Sequence, residues 1–147
     1  MYKQKYRKSV FIVAYSLEGK EPIYIIQKRK LHWIGWEFPK GGIKKFETKR
    51  QTVKREIKEE TNLKPIKIVN HKIKGKYKYP KIFSDRSGII GQSYHLFSVE
   101  VKKGKIKFDR REHFSSKWAT YKEAQKLLTH KNQKDCLKIV NNYLTKN

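Results

Sequence analysis

The sequence has a single cysteine and no long apolar segment. That cysteine, Cys136, excludes a disulfide within the chain and a cysteine-rich zinc site, as is typical of proteins from the reducing cytoplasm. The most apolar early segment, residues 10–14, is too short to cross a membrane, and it lacks a small-residue cleavage site. We therefore expect a soluble cytoplasmic protein that has no membrane partner and is a monomer or a weak dimer.

Acidic residues are also scarce. The 147 residues include 13 Asp and Glu against 37 Lys and Arg, which gives a formal net charge of +24. A surface this basic attracts polyanions such as phosphate-rich small molecules, nucleic acid or anionic membranes. The lysines are spread along the whole chain, and a coat that serves only solubility would look the same. Charge alone therefore does not identify the ligand.

The hydrophobic pattern predicts one α/β domain over residues 1–147. Hydrophobic residues make up 37% of the chain, which is enough to bury a core at this length. Strands are predicted at residues 9–17, 23–28, 66–79, 92–101 and 106–108. Residues 31–42 show no periodicity and predict a packed loop that leads into a helix, and residues 80–91 predict a second loop.

Capping patterns predict the helices. The most distinct helix begins near Thr48, where Thr48 and Gln51 form a capping-box pattern, and ends near Thr61 or Asn62. A second capping-box pattern predicts a helix over residues 121–128, and an apolar stripe predicts a third helix at the C terminus. Strands that alternate with a few helices favour a layered α/β architecture.

The scarce carboxylates gather on the first of these helices. At about 100° of rotation per residue, Glu60 lies beside the apolar Val53 and Ile57, and Glu56 and Glu59 adjoin them. Carboxylates at this spacing repel one another and are costly to bury, so a positive group must neutralise them. A hard cation such as Mg²⁺ or Mn²⁺ prefers oxygen ligands and fits this role, although an ion-paired surface remains an alternative.

Residues 41–63, GGIKKFETKRQTVKREIKEETNL, resemble the Nudix box, G-x5-E-x7-R-E-U-x-E-E-x-G-U. The matching residues are Gly41, Glu47, Arg55, Glu56, Ile57, Glu59, Glu60 and Leu63. Asn62 replaces the last glycine of the family pattern, and asparagine is the next best residue for a left-handed helix cap. The match is specific because many fixed positions agree, and an inactive Nudix fold is the alternative.

This resemblance implies a Nudix-type α/β/α sandwich around a mixed β-sheet and Mg²⁺- or Mn²⁺-dependent hydrolysis of a nucleoside diphosphate derivative. The implied metal ligands are the carbonyl of Gly41 and the carboxylates of Glu56, Glu59, Glu60 and Glu112. The implied catalytic residues are Glu56, Glu59, Arg55 and Glu112. Arg55 would orient a ligand carboxylate, and Glu47 would be structural. Glu112 would join the metal or act as the base, with an ordinary loop carboxylate as the alternative; His113 would be structural.

Segments outside the box resemble two groups within the family. Residues 36–42, WEFPKGG, and residues 111–128 resemble diadenosine tetraphosphate hydrolases, whereas residues 91–97, GQSYHLF, resemble bacterial RNA pyrophosphohydrolases. The predicted substrate-binding residues are Lys40, Tyr77, Tyr79 and Lys81. The lysines would contact phosphate and the tyrosines would stack a base, although strand tyrosines that fill a sheet face would give the same pattern.

The predicted activity is cleavage of a phosphoanhydride in a dinucleoside polyphosphate, of the asymmetric tetraphosphatase type. The second candidate substrate is an RNA 5′-triphosphate end, followed by inositol pyrophosphates or nucleoside triphosphates. A basic RNA-binding module on a Nudix fold is the alternative from a different class, and metal-dependent turnover would distinguish it from an enzyme. The expected partners are thus phosphate-rich nucleotides and RNA 5′ ends.

Overall fold

A computed structural model describes residues 5–81 and 83–146, and it contains one seven-stranded sheet and three α-helices. The strands are β1 (Lys5–Glu18), β2 (Glu21–Arg29), β3 (Gly35–Glu37), β4 (Lys40–Gly42), β5 (Pro65–Lys78), β6 (Ile89–Val101) and β7 (His113–Thr120). The helices are α1 (Lys49–Thr61), α2 (Tyr121–Leu127) and α3 (Lys131–Thr145), and a 3₁₀ helix covers Ser84–Arg86.

The sheet is mixed. Its main strand order is β3-β2-β1-β6-β5, with β4 paired to β1 and β7 paired to β2. The pairing of β1 with β6 is parallel and the other pairings are antiparallel. Pairing of β4 with β1 places Gly41 opposite Val10 and Lys40 opposite Phe11. The first residue of the box and the lysine before it are therefore held beside β1, at the centre of the sheet.

Helices cover both faces of this sheet. Alternate residues of β1 point to opposite faces, so that Phe11 packs in a core cluster with Leu137 of α3. Ile12 packs in a second cluster with Val53 and Ile57 of α1. Burial of each such side chain contributes about 1.5–3 kcal/mol. The predicted α/β/α sandwich around a mixed sheet is confirmed.

The caps of α1 follow the sequence prediction. Thr48 is the N-cap, its side chain accepts a hydrogen bond from the Gln51 amide at 3.1 Å, and the Gln51 side chain accepts one from the Thr48 amide at 2.8 Å. Asn62 ends the helix with φ 56°, and its N–H donates to the carbonyl of Lys58. Asparagine tolerates this left-handed conformation, so the missing glycine of the box leaves the helix end intact.

The local predictions differ from the structure at four places. Residues 31–42 contain β3 and β4, which at three residues each are too short to show a period of two. Residues 106–108 form no strand, because the Lys107 amide bonds to the Thr61 carbonyl rather than to a sheet neighbour. The strand β7 was missed, and it completes the sheet against β2. In the predicted loop at 80–91, the strand already begins at Ile89, and Ile82 lies outside the described residues.

The described helices do not include a membrane span. Even the longest of them, α3 with 15 residues, is too short to cross a bilayer, and none of the others is long and apolar enough.

Candidate active site

The carboxylates of α1 approach the sheet at Gly41. A side chain at Gly41 would occupy the space of the Glu56 carboxylate, because β4 runs directly against this helix. The absence of a Cβ at this position therefore allows the contact. Glu56 and Glu60 are buried, with exposures of 7% and 3%, whereas the side chain of Glu59 is about half exposed.

Arg55 ties the box residues together. Its Nε and Nη2 atoms donate to the two carboxylate oxygens of Glu47, each at 2.8 Å, and Nη1 donates to Glu56 at 2.7 Å. Nη2 also donates to the Gly42 carbonyl at 3.0 Å, and Nη1 lies 3.4 Å from Glu59. The paired bonds to Arg55 hold the pKa of Glu47 well below its usual range. Arg55 thus fixes Glu47 and Glu56 relative to β4.

The negative charges of Glu56 and Glu60 are unfavourable in this environment. Burial raises the pKa of Glu56 to about 7, and repulsion from Glu60 adds to the effect. Burial likewise raises the pKa of Glu60 to about 7, partly opposed by His113. The Oε2 atom of Glu60 is buried without a hydrogen-bond partner among the described residues. The pair therefore lacks part of the positive charge that would neutralise it.

Glu112 and His113 reach this cluster from the start of β7. One carboxylate oxygen each of Glu60 and Glu112 and one ring nitrogen of His113 lie within 4.8 Å of one another. Glu112 is partly buried, directly before the strand. The structure thus brings Glu112 to the box carboxylates, as a role at the metal or as a base requires.

A buried carboxylate, Glu37, lies behind His113. Its Oε2 atom is 2.8 Å from His113 Nε2 and 3.0 Å from Arg29 Nη1, and its Oε1 atom is 3.4 Å from Lys40 Nζ. Burial opposes ionisation of Glu37, but Lys40, His113 and Arg29 hold its pKa at about 2. Burial alone would lower the pKa of His113, but the hydrogen bond to Glu37 and the nearby carboxylate of Glu60 raise it to about 9. His113 therefore lies between two carboxylates that favour its protonated form.

Basic side chains face the carboxylates across a cavity of about 50 Å³. The lining residues are Arg7, Arg29, Lys40, Gly41, Glu56, Arg86, Gln92 and Glu112. Sequence reasoning missed Arg7, Arg29 and Arg86, because nothing in their local sequence separates them from the many other basic residues. Arg7 lies so close to Gly42 that a side chain there would collide with its guanidinium. Four cations opposite carboxylates suit a polyphosphate bridged to the protein by a metal.

A larger pocket of about 300 Å³ shares Arg29, Lys40 and Arg86 with this cavity. Its aromatic lining consists of His32, Trp33, Tyr77, Tyr79, Phe83 and His130. The Lys40 ammonium donates to the Tyr77 hydroxyl at 3.1 Å, and Arg86 lies 5.5 Å from the ring centre of Tyr79. Lys40 and these two tyrosines thus meet in one pocket. Lys81 is exposed and is not among the residues that line it.

The donor set fits a hard divalent cation. Glu60 and Glu112 have carboxylate oxygens within 4.8 Å of each other, and Glu56 lines the same small cavity as Glu112. Burial has removed water from Glu56 and Glu60. The unpartnered Oε2 of Glu60 and the raised pKa values of Glu56 and Glu60 indicate the same deficit of positive charge. The predicted Mg²⁺ or Mn²⁺ therefore has suitable ligands here.

These pKa values predict a stability that depends on pH and on metal. A carboxyl whose pKa rises from 4.5 to about 7 on folding favours the fold fully below about pH 4.5 and loses that contribution as the pH rises through about 7. We expect the Tm in EDTA to fall by several degrees between about pH 5.5 and about pH 8, with Mg²⁺ restoring it only at the higher pH. Circular dichroism melts measure this, and an equal effect of Mg²⁺ at both pH values would contradict the assignment.

The comparisons with known proteins agree with this geometry. Residues 5–138 match the model of the NUDIX domain family. The RNA pyrophosphohydrolase of Hydrogenovibrio crunogenus is 40% identical over 60 residues, which cover 41% of this chain and 34% of that protein. The RNA pyrophosphohydrolase of a Nitratiruptor species is 33% identical over 116 residues, which cover 76% of this chain and 75% of that protein. The chain thus aligns with about a third of the first relative and three quarters of the second.

A solved structure shares the fold. The Ap4A hydrolase of C. elegans, as a binary complex, superposes with a TM-score of 0.67 at 20% identity, and the match covers 92% of this chain and 97% of that one. Identity at this level is evidence for the fold alone. The family match over residues 5–138 shows that the chain belongs to the Nudix family, as the box at residues 41–63 predicted.

Proposed function

We propose that this chain is a divalent-cation-dependent pyrophosphohydrolase that cleaves a phosphoanhydride bond of a nucleoside 5′-polyphosphate. The observation that carries the proposal is the small cavity in which Glu56 and Glu112 face Arg7, Arg29, Lys40 and Arg86. A metal bound by the carboxylates would neutralise phosphate oxygens and lower the pKa of the attacking water. Family membership and the RNA pyrophosphohydrolase names of the two relatives support the same reaction class.

The basic residues would bind the phosphates. Arg29 and Lys40 are held in place by Glu37, at 3.0 and 3.4 Å, so their positive charges are already fixed before substrate binds. Fixed donors stabilise the charge that develops on the leaving phosphate without reorganising at the moment of reaction. Arg7 and Arg86 extend this surface over the rest of the cavity.

The carboxylates would divide the remaining tasks. Arg55 holds Glu56 at 2.7 Å and fixes its orientation towards Gly41. Glu112 lies directly before β7, lines the cavity and is partly exposed, so it could accept a proton from a water molecule there. The proposal therefore assigns metal binding to Glu56, Glu59, Glu60 and the Gly41 carbonyl, with Glu112 as ligand or base.

A dinucleoside tetraphosphate is the first candidate substrate. The aromatic pocket lies beside the phosphate-binding cations, so a base stacked there would direct its phosphates into the small cavity. RNA 5′-triphosphate ends are the second candidate, because both relatives are RNA pyrophosphohydrolases and the net charge is +24. These substrates differ in how far they extend across the basic surface.

Salt dependence and a pair of lysine variants separate the two substrates. Each phosphate neutralised on a single strand contributes about −0.7 to the slope of log affinity against log salt, so RNA contacting four sites gives about −3. We expect dinucleoside tetraphosphate to have the higher kcat/KM and a shallower slope, with Lys40→Gln impairing it and the exposed Lys81→Gln having no effect. Preferred cleavage of triphosphorylated RNA, with the steep slope and sensitivity to both variants, would favour the second candidate.

A further inference from the structure

His113 has a feature that the proposed reaction leaves unused. The residue is only 2% exposed, yet its Nδ1 atom has no hydrogen-bond partner among the described residues. It lies 3.4 Å from the Oε2 atom of Glu60, which also has no hydrogen-bond partner among the described residues. Buried polar atoms are rarely left unpaired, and each such atom needs an explanation. Two of them face each other here.

The other ring nitrogen is firmly oriented. His113 Nε2 donates to Glu37 Oε2 at 2.8 Å, and the same oxygen accepts from Arg29 at 3.0 Å. A histidine that ligates a metal usually donates its second N–H to a carboxylate in this way, which fixes the ring and leaves one nitrogen for the cation. Glu37 thus directs Nδ1 of His113 towards Glu60 and Glu112.

We propose that Glu60, Glu112 and His113 form a mixed oxygen and nitrogen site for a borderline divalent cation such as Mn²⁺, Co²⁺ or Zn²⁺, with His113 Nδ1 as a ligand. Imidazole nitrogen suits these ions, whereas Mg²⁺ prefers oxygen alone. The three ligand atoms lie within 4.8 Å. Ligands about 2.1 Å from an ion are about 3.0–3.4 Å apart when they are adjacent, so side-chain shifts of up to about 1 Å would complete the site. The inference rests on the proposed function only in that both use Glu60 and Glu112.

This site shares two residues with the proposed Mg²⁺ site. Glu60 and Glu112 belong to both, and His113 is the ligand that the present inference adds to the carboxylates. His113 Nδ1 and Glu60 Oε2 lie 3.4 Å apart, and a cation that enters the site would give both atoms a partner.

Electron spin echo measurements on Mn²⁺ bound to the full-length protein test the inference directly. A histidine nitrogen bound to Mn²⁺ gives ¹⁴N modulation, and labelling all histidines of the wild-type protein with ¹⁵N must change its frequency. We expect this modulation in the wild type, its loss in His113→Gln, and its retention in His95→Gln, which alters a half-buried histidine of β6. We also expect Mn²⁺ affinity to fall at least about 10-fold in His113→Gln, with a smaller change for Mg²⁺.

The outcomes separate this inference from the proposed function. Bound Mn²⁺ without ¹⁴N modulation, or modulation that persists in His113→Gln, would overturn the nitrogen site whether or not the protein hydrolyses nucleotides. If the protein shows ¹⁴N modulation but cleaves none of the candidate substrates, the nitrogen site is supported and the proposed reaction is contradicted. If His113→Gln does not fold, a variant in which the other four histidines are replaced by glutamine leaves His113 as the only one, and absence of modulation there would overturn the site.

Discussion

Glu56→Gln is expected to lower kcat at least about 100-fold while the metal-free protein becomes no less stable at pH 8. The amide keeps the shape of the side chain but removes the charge that would hold the cation, and loss of a direct ligand costs at least as much as loss of the groups that support one. The same change relieves repulsion with Glu60, which together with burial raises the pKa of Glu56 to about 7. Steady-state kinetics and melts in EDTA measure the two effects.

A loss of kcat without a loss of stability distinguishes a metal ligand from a structural carboxylate. A structural role predicts loss of stability and loss of activity together. Glu21→Gln is the matched control, because Glu21 is an exposed carboxylate at the start of β2. A folded Glu56→Gln protein with wild-type kcat would remove Glu56 from the metal site.

Gly41→Ala is expected to reduce turnover by about 100-fold through steric displacement alone. The new methyl group would overlap the Glu56 carboxylate, so either this side chain or β4 must move. Movement of Glu56 also breaks its 2.7 Å bond to Arg55, which links it to Glu47. A shift of about 1 Å in a positioned group can cost about two orders of magnitude in rate. Kinetics at saturating Mg²⁺ and a Mg²⁺ titration by calorimetry measure the change.

Gly104→Ala provides the control for this glycine. A methyl group there would meet only the end of the Leu63 side chain, at 3.2 Å, and this flexible group can yield. We therefore expect near wild-type activity from Gly104→Ala. If Gly41→Ala kept both its Mg²⁺ affinity and its turnover, the close approach of β4 and Glu56 would have no part in catalysis.

Local sequence was sufficient to predict α1 and the position of its carboxylates. The cap residues Thr48 and Asn62 act within a few positions of the helix ends, and the buried side of the helix follows from its period. Glu56 and Glu60 lie on that side, as predicted, whereas Glu59 lies at its exposed edge. Interactions of this range are encoded in neighbouring residues, so a single sequence reveals them.

The basic side of the site depends on contacts between distant segments. Arg7, Arg29 and Arg86 meet because β1 pairs with β2, β4 and β6, and a single sequence does not encode that strand order. The role of Glu37 could not be predicted for the same reason, because it depends on a contact with His113, which lies 76 residues later in the chain. The short strand β3 that carries it was also too brief to predict.

The central claim is that the carboxylates of α1 and Glu112 hold a divalent cation that enables hydrolysis of a nucleotide phosphoanhydride. Phosphorus NMR of the wild-type protein with diadenosine tetraphosphate, in Mg²⁺ and then in EDTA, tests it most directly. The account predicts that the resonances of ATP and AMP appear in Mg²⁺ and stop growing when EDTA is added, and that Glu56→Gln gives neither at a comparable rate. The account would be contradicted by equal turnover in EDTA, or by the absence of Mg²⁺-dependent turnover of this substrate, of triphosphorylated RNA, of nucleoside triphosphates and of inositol pyrophosphates alike.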